Sequence, residues 1–96
     1  MKPKLRCINC KGNKIWVNHK DQYHRKDGPA IEYITGGVEY WREDLLHRED
    51  GPAVIYANGN KEYWIDGIYY QREKDYWLKI YQRRLITKKD LFLKCL

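Results

Sequence analysis

His24-Arg25-Lys26-Asp27-Gly28-Pro29-Ala30 is followed, 23 residues later, by His47-Arg48-Glu49-Asp50-Gly51-Pro52-Ala53. The agreement extends beyond the heptapeptide: Tyr33, Gly36, Glu39, Tyr40 and Trp41 are matched at the same spacing by Tyr56, Gly59, Glu62, Tyr63 and Trp64. Self-similarity at a fixed period of this size marks stacked supersecondary units, each too small to bury its own apolar face. The middle of the chain is therefore one small unit used twice, and the fold follows from what that unit can form.

Punctuation within the unit is regular. Asp-Gly-Pro opens it, and Pro29 and Pro52 have no N–H to give to a ladder, so each belongs at the start of a strand. Strands are expected over residues 30–34 and 53–57. Asn58-Gly59 is the pair that a type I′ hairpin turn demands, with Gly36-Gly37 in the same place in the first unit. Return strands then cover residues 38–42 and 61–65. Asp66-Gly67 predicts another tight turn before a strand over residues 68–71; Glu43-Asp44 fills that role less well before residues 45–48. Upstream, residues 14–18 with Trp16 resemble the Glu-Tyr-Trp strand, so residues 1–22 read as a basic arm and a degenerate half-repeat that caps one edge. Trp16 stands eight residues before His24, against six from Trp41 to His47, which predicts a turn two residues longer.

After residue 73 the period changes. Trp77, Ile80, Tyr81 and Leu85 follow helical spacing, which predicts an amphipathic helix over residues 74–85. Thr87 and Asp90 form a capping-box pattern, with a second helix starting at Lys88 and an apolar stripe of Leu91, Phe92, Cys95 and Leu96. The expected fold class is α+β: a single domain in which an antiparallel β-meander of about six strands, its hairpin repeats spanning residues 23–71, is capped by C-terminal helices over residues 73–96.

A chain of 96 residues supports one small core. With one Phe and one Met but nine Tyr and four Trp, aromatic rings must supply most of the buried area. Four or five of the fourteen are expected to stay exposed. Charge is unevenly placed: residues 1–26 sum to +7, residues 27–75 to −6 and residues 76–96 to +5. The ends, not the repeats, would meet a polyanion. No apolar segment follows the basic start and no apolar run approaches the ~20 residues that span a bilayer, so a cytoplasmic protein without a membrane partner is expected.

Taken together, the 23-residue spacing, the hairpin-sized unit, the Tyr, Trp and Gly content and the doubled His-Arg-x-Asp-Gly-Pro-Ala resemble the MORN repeat (membrane occupation and recognition nexus), in the variant form built around that heptapeptide. The resemblance covers His24 to about Tyr70. That variant is abundant in bacteriophages and large DNA viruses, so the resemblance implies a hairpin-repeat fragment in a phage-type accessory protein, working in the host cytoplasm, and implies no reaction. The ordinary MORN pattern, Tyr-x-Gly-x-Trp followed by Asn-Gly-Lys, is not met, and the membrane roles of ordinary MORN proteins do not carry over.

Candidate chemistry is sparse. Cys7-Ile8-Asn9-Cys10 is half of a zinc knuckle; Cys7 and Cys10 supply two ligands of four, with His19, His24, His47 and Cys95 as further candidates. Plain thiols, zinc and redox chemistry are the three readings, so the cofactor is zinc or none. The paired His-Arg turns could grip a phosphate or carboxylate, or could serve only the stacking of units. Glu39 and Glu62 occupy equivalent places and so lack the unlike environments that acid–base catalysis needs. A non-enzymatic interaction protein that binds a host bacterial protein is the leading expectation. Its candidate contacts are Trp41, Trp64, Tyr40, Tyr63, Arg25 and Arg48, with Arg83, Arg84, Lys88 and Lys89 on the basic tail. Two alternatives stand beside it: nucleic-acid binding through the basic arm and basic helix, and sequestration of a nucleotide by the His-Arg turns.

Overall fold

A computed structural model describes residues 4–6 and 11–95. Nine short strands precede two helices among them: β1 (Lys4–Arg6), β2 (Lys14–Val17), β3 (Ile31–Glu32), β4 (Val38–Glu39), β5 (Trp41–Arg42), β6 (Leu45–Leu46), β7 (Val54–Ile55), β8 (Lys61–Ile65), β9 (Ile68–Tyr70), α1 (Glu73–Gln82) and α2 (Lys88–Lys94). Seven strands form one sheet in the order β1-β2-β3-β4-β7-β8-β9, and β5 with β6 form a two-stranded ribbon. All pairings are antiparallel. The fold is the expected α+β meander; residues 4–6 add a strand beside β2, while Leu45–Leu46, expected in the meander, pairs with Trp41–Arg42 in the separate ribbon. The molecule is a thin slab of 42 × 32 × 18 Å.

Pairing register repeats with the sequence. Ile31 faces Glu39 in the first unit and Val54 faces Glu62 in the second; Trp41 faces Leu46, and Trp64 faces Tyr69. Turn types differ from the expectation. Only Gly36 (φ +103°) and Gly59 (φ +91°) enter left-handed space at the hairpin tips, each N–H donating to the carbonyl three residues back, Tyr33 or Tyr56. These are three-residue loops ending in a glycine bulge, not type I′ turns. Left-handed pairs occur instead at Glu43-Asp44 (φ +51° and +65°) and Asp66-Gly67 (φ +49° and +78°). The strain of two non-glycine residues at Glu43-Asp44 is offset by contacts from the preceding unit: Tyr23 N–H donates to the Asp44 carboxylate at 2.6 Å and Asp44 N–H to the Tyr23 carbonyl at 3.0 Å.

Trp16 takes a place other than the expected one. Its N–H donates to the Ala30 carbonyl as Tyr40 donates to Ala53, and its carbonyl accepts from His24 as Tyr40 accepts from His47. Trp16 is thus the counterpart of Tyr40, not of Trp41, and the first turn is one residue longer, not two. The first return strand, expected as one element over residues 38–42, is interrupted at Tyr40, whereas residues 61–65 run unbroken. The last position explains the contrast: Ile65 is fully buried beneath α1, while its equivalent Arg42 is exposed.

Val17, Ala30, Ile31, Ala53 and Val54 are buried along the sheet, and the main core cluster lies at the helix end. Ile65, Tyr76, Trp77 and Ile80 form it, with Tyr63, Tyr70, Ile86, Leu91 and Cys95 packed around. Trp77 and Ile80 were expected on the buried stripe; Tyr76 was not, and it is completely buried. The helix stops three residues early because Arg84 turns left-handed at φ +59° while the Arg84 and Leu85 N–H groups close back on Tyr81 and Ile80. Leu85 consequently leaves the stripe and is 45% exposed. The Thr87 capping box forms as expected, yet Phe92 faces out at 67% exposure, because a seven-residue helix lying on α1 covers only Leu91 and Cys95. Leu96 is outside the described residues.

Candidate functional site

The His-Arg turns are assembled on one plan in the two units, with two differences: Arg25 also donates to Glu32 (3.2 Å), and the His47 Nε2 lies 3.0 Å from the Glu49 carboxylate. The buried imidazole of His24 accepts at Nδ1 from the Glu43 N–H (3.1 Å), and that of His47 from the Asp66 N–H (2.9 Å), so each histidine pins the left-handed turn of its own unit. Arg25 donates to the Asp27 carboxylate and the Pro29 carbonyl; Arg48 donates to Asp50 and Pro52 in the same way. Each guanidinium also lies over a ring of the segment before it, Arg25 3.8 Å from the centroid of Trp16 and Arg48 3.9 Å from that of Tyr40. Gly28 and Gly51 lie close beneath them: a Cβ there would stand 3.0 and 3.1 Å from the guanidinium carbon, so the arginine would have to shift by a few tenths of an ångström.

Glu39 and Glu62 are likewise built in. Glu39 accepts from the Tyr33 hydroxyl (3.0 Å) and the Trp41 indole N–H (2.8 Å); Glu62 accepts from Tyr56 (2.7 Å) and Trp64 (3.0 Å). The Tyr33 phenol is raised to about 12, first by burial and then by the Glu39 charge and hydrogen bond; Tyr56 is raised chiefly by its bond to Glu62. Tyr23 packs edge-on against Trp41 at 5.3 Å, and Tyr69 is tilted against Trp64 at the same distance. By strand alternation these two clusters share one face of the sheet.

That face carries the exposed aromatics. Tyr23, Tyr33, Tyr56 and Tyr69 are 38%, 38%, 46% and 50% exposed, and Phe92 on α2 is the fifth exposed ring, within the expected number. Trp41, Trp64, Tyr40 and Tyr63, the rings singled out from the repeat, are all half-buried. They are less exposed than the four tyrosines of that face.

Between the two His-Arg turns runs a cleft of about 760 Å³. Arg25, Lys26, Arg42 and Arg48 line it with Asp27, Glu43, Glu49 and Asp50, so its formal charges cancel. Its arginines are paired: Arg25 with Asp27 (3.3 Å), Arg42 with Glu49 (3.5 Å) and Arg48 with Asp50 (2.8 Å). Outside it, Asp66 gathers Arg42 (2.7 Å) and Arg83 (2.9 Å) and lies 3.1 Å from His47. Burial pushes the Asp66 carboxyl up, but the bonds from Arg83 and Arg42 together with the His47 charge outweigh it, and the pKa falls below the ordinary value.

Of the basic tail, Arg83 is held by Asp66, while Arg84, Lys88 and Lys89 are exposed and make no ion pair among the described residues. Cys7 and Cys10 lie outside the described residues. Cys95 closes α2 against the core, and the His24 Nδ1 is engaged by the Glu43 N–H. No group of three or more His, Cys, Asp or Glu able to hold a metal ion occurs among the described residues, and no helix among them is long and apolar enough to cross a membrane. Comparison of the chain with protein-family models, with curated proteins and with solved structures finds no match.

Proposed function

We propose that this chain is a non-enzymatic interaction protein that binds another protein through the tyrosine-bearing face of its sheet. The observation that carries the reading is a division of labour. The repeated charged residues are spent on contacts within the units, while Tyr23, Tyr33, Tyr56 and Tyr69 remain exposed on one face. Tyrosine is a favoured anchor at protein interfaces, because it offers a large rigid apolar area with one polar tip. The Glu39 and Glu62 hydrogen bonds hold Tyr33 and Tyr56 in place before any partner arrives, which lowers the ordering cost of association. The variant MORN-type resemblance of the repeats suggests the setting: a phage-type accessory protein whose partner is a protein of the bacterial host.

Affinity capture from a bacterial lysate tests this. A specific host protein is expected on the wild-type chain and absent from a Tyr33→Ala/Tyr56→Ala variant that keeps the wild-type unfolding midpoint. Equal retention by both, or retention by neither, would overturn the proposed face. Nucleic-acid binding is favoured by one separate observation, the exposed cations Arg84, Lys88 and Lys89, which make no ion pair among the described residues. Counterion release predicts that such binding falls steeply between ~50 and ~200 mM salt, and that an Arg84→Gln/Lys88→Gln/Lys89→Gln variant shows a shallower salt slope.

A further inference from the structure

The two units are alike in register but not in what fills the space behind their turns. In the second unit that space is taken by Tyr76 of α1. Its ring lies 4.8 Å from Tyr63 and 6.3 Å from Tyr70, and its hydroxyl donates to the Arg48 carbonyl (2.5 Å) while accepting from the Gly51 N–H (3.2 Å). Subtracting the 23-residue period from these four contact residues gives Tyr40, His47, Arg25 and Gly28. All four line the cleft between the His-Arg turns. The turns are built with the same Arg-to-Asp and Arg-to-Pro bonds, so a carbonyl and an N–H stand in the first unit where Tyr76 finds them in the second. Gly51 is buried, whereas Gly28 is only partly so, and no hydrogen bond among the described residues uses the Gly28 N–H.

We infer that the cleft is a seat for a tyrosine side chain presented by the partner protein, bound as the chain's own Tyr76 is bound one unit further on. This rests on the protein-binding reading above and adds to it a second contact and the side-chain chemistry that the contact selects. The guest hydroxyl bridges the Arg25 carbonyl and the Gly28 N–H. Its ring meets Tyr40 and the Arg48 guanidinium, a planar cation that stacks on aromatic faces. Charge argues for a neutral guest: four cations and four carboxylates line the cleft, and three of the arginines are already paired with carboxylates, so little positive potential is left for a phosphate.

The test uses the full chain labelled with ¹⁵N and titrated with N-acetyl-tyrosine amide. The Gly28 amide resonance is expected to shift and saturate in the millimolar range, as suits so small a ligand, while the Gly51 amide, already bonded to Tyr76, stays still. N-acetyl-phenylalanine amide is expected to bind roughly fivefold more weakly, the loss of about one net hydrogen bond. In a Tyr76→Phe variant the Gly51 amide is expected to move in the direction opposite to that of Gly28 on binding; should that variant not fold, the wild-type titration decides alone. No saturable Gly28 shift, equal affinity for the two amides, or a Gly28 shift on raising the concentration of the free chain, which would mean that a second copy supplies the ring, each overturns the inference. A flat titration beside a lysate capture that depends on Tyr33 and Tyr56 sinks the seat and leaves the proposed function standing. A Gly28 response without such capture does the reverse.

Discussion

The first unit, residues 24–46, and the second, residues 47–69, share their register, their buried histidine, their stacked arginine, their Tyr-Glu-Trp cluster and a buried pair at the strand start, Ala30-Ile31 and Ala53-Val54, yet only the second is closed by a helix. Its return strand runs unbroken through Ile65, and α1 closes over it with Tyr76, Trp77 and Ile80. The first breaks at Tyr40, carries exposed Arg42 where Ile65 is buried, and leaves a cleft where Tyr76 would sit. The repeat thus specifies hydrogen bonding, stacking and a small buried seam of His24, Ala30 and Ile31 with His47, Ala53 and Val54, while the aromatic cluster under the helix comes from what is not repeated. A unit without a neighbour behind it is ordered but open, which is the condition a binding surface requires.

The helix contributes most through the plug it places in the second unit. Tyr76→Ala deletes a fully buried ring and is expected to cost about 3–5 kcal/mol, read as a drop in the urea midpoint with an unchanged slope. For a chain of this size that is a large share of total stability. A loss under about 1 kcal/mol would mean that the core does not depend on the helix, and the contrast between units would fall. Tyr76→Phe keeps the ring and isolates the hydroxyl. It is expected to cost about 1–3 kcal/mol, because the buried Gly51 N–H and the Arg48 carbonyl both lose their partner.

Contacts that the units share should respond alike. Glu39→Gln and Glu62→Gln each weaken a tyrosine hydroxyl and an indole N–H bond, and each is expected to cost about 1 kcal/mol, equal within ~0.5 kcal/mol. A clear difference would show that α1 reaches the aromatic face of the second unit. Glu39→Gln has a spectroscopic consequence too. Tyr33 is held at about 12 against a model-peptide value near 10, so its phenol ionises late. A folded pKa raised in this way favours the protonated form, and the associated stability is full below pH ~10 and lost as the pH climbs towards 12. Removing the Glu39 charge should bring the Tyr33 absorbance transition down, with burial keeping part of the shift.

Much of this was legible from the 23-residue period. Residues separated by that interval occupy equivalent places throughout, and the Thr87–Asp90 cap was readable because it is a local contact between neighbours in sequence. The misreadings have a common cause in contacts between distant segments. Trp16 looked like Trp41 because both follow a short β-branched or aromatic run, but its ladder bonds to residues 24 and 30 set it one position over. Asn58-Gly59 has type I′ chemistry, yet pairing of Tyr56 with Asn60 imposes a three-residue loop. Tyr76 falls on the helical period with Ile80 and was still missed, since its role is to fill a socket made by residues 25 and 28 positions earlier in the chain. The exposed tyrosines could be counted in advance but not named, because which rings are covered depends on contacts such as Tyr23 with Trp41 and Tyr69 with Trp64, made between segments apart in sequence.

The smallest expected effect separates the units by charge. Asp66 and Glu43 are equivalent positions, and the backbone N–H of each is held by a buried histidine, but only the Asp66 side chain makes ion pairs among the described residues. Its folded pKa lies below the unfolded value, so its stabilisation is present above that value and is lost as the pH falls through the folded one, below about pH 4. Asp66→Asn should therefore lower stability at pH 7 by about 0.2–1 kcal/mol, since the pairs are partly solvated, and should flatten the acid limb of the stability–pH curve. Glu43→Gln, measured by urea unfolding at pH 7 and pH 3, should do neither. If both substitutions flatten the acid limb equally, the ion pairs around Asp66 contribute nothing specific, and the junction between the second unit and α1 is held by packing alone.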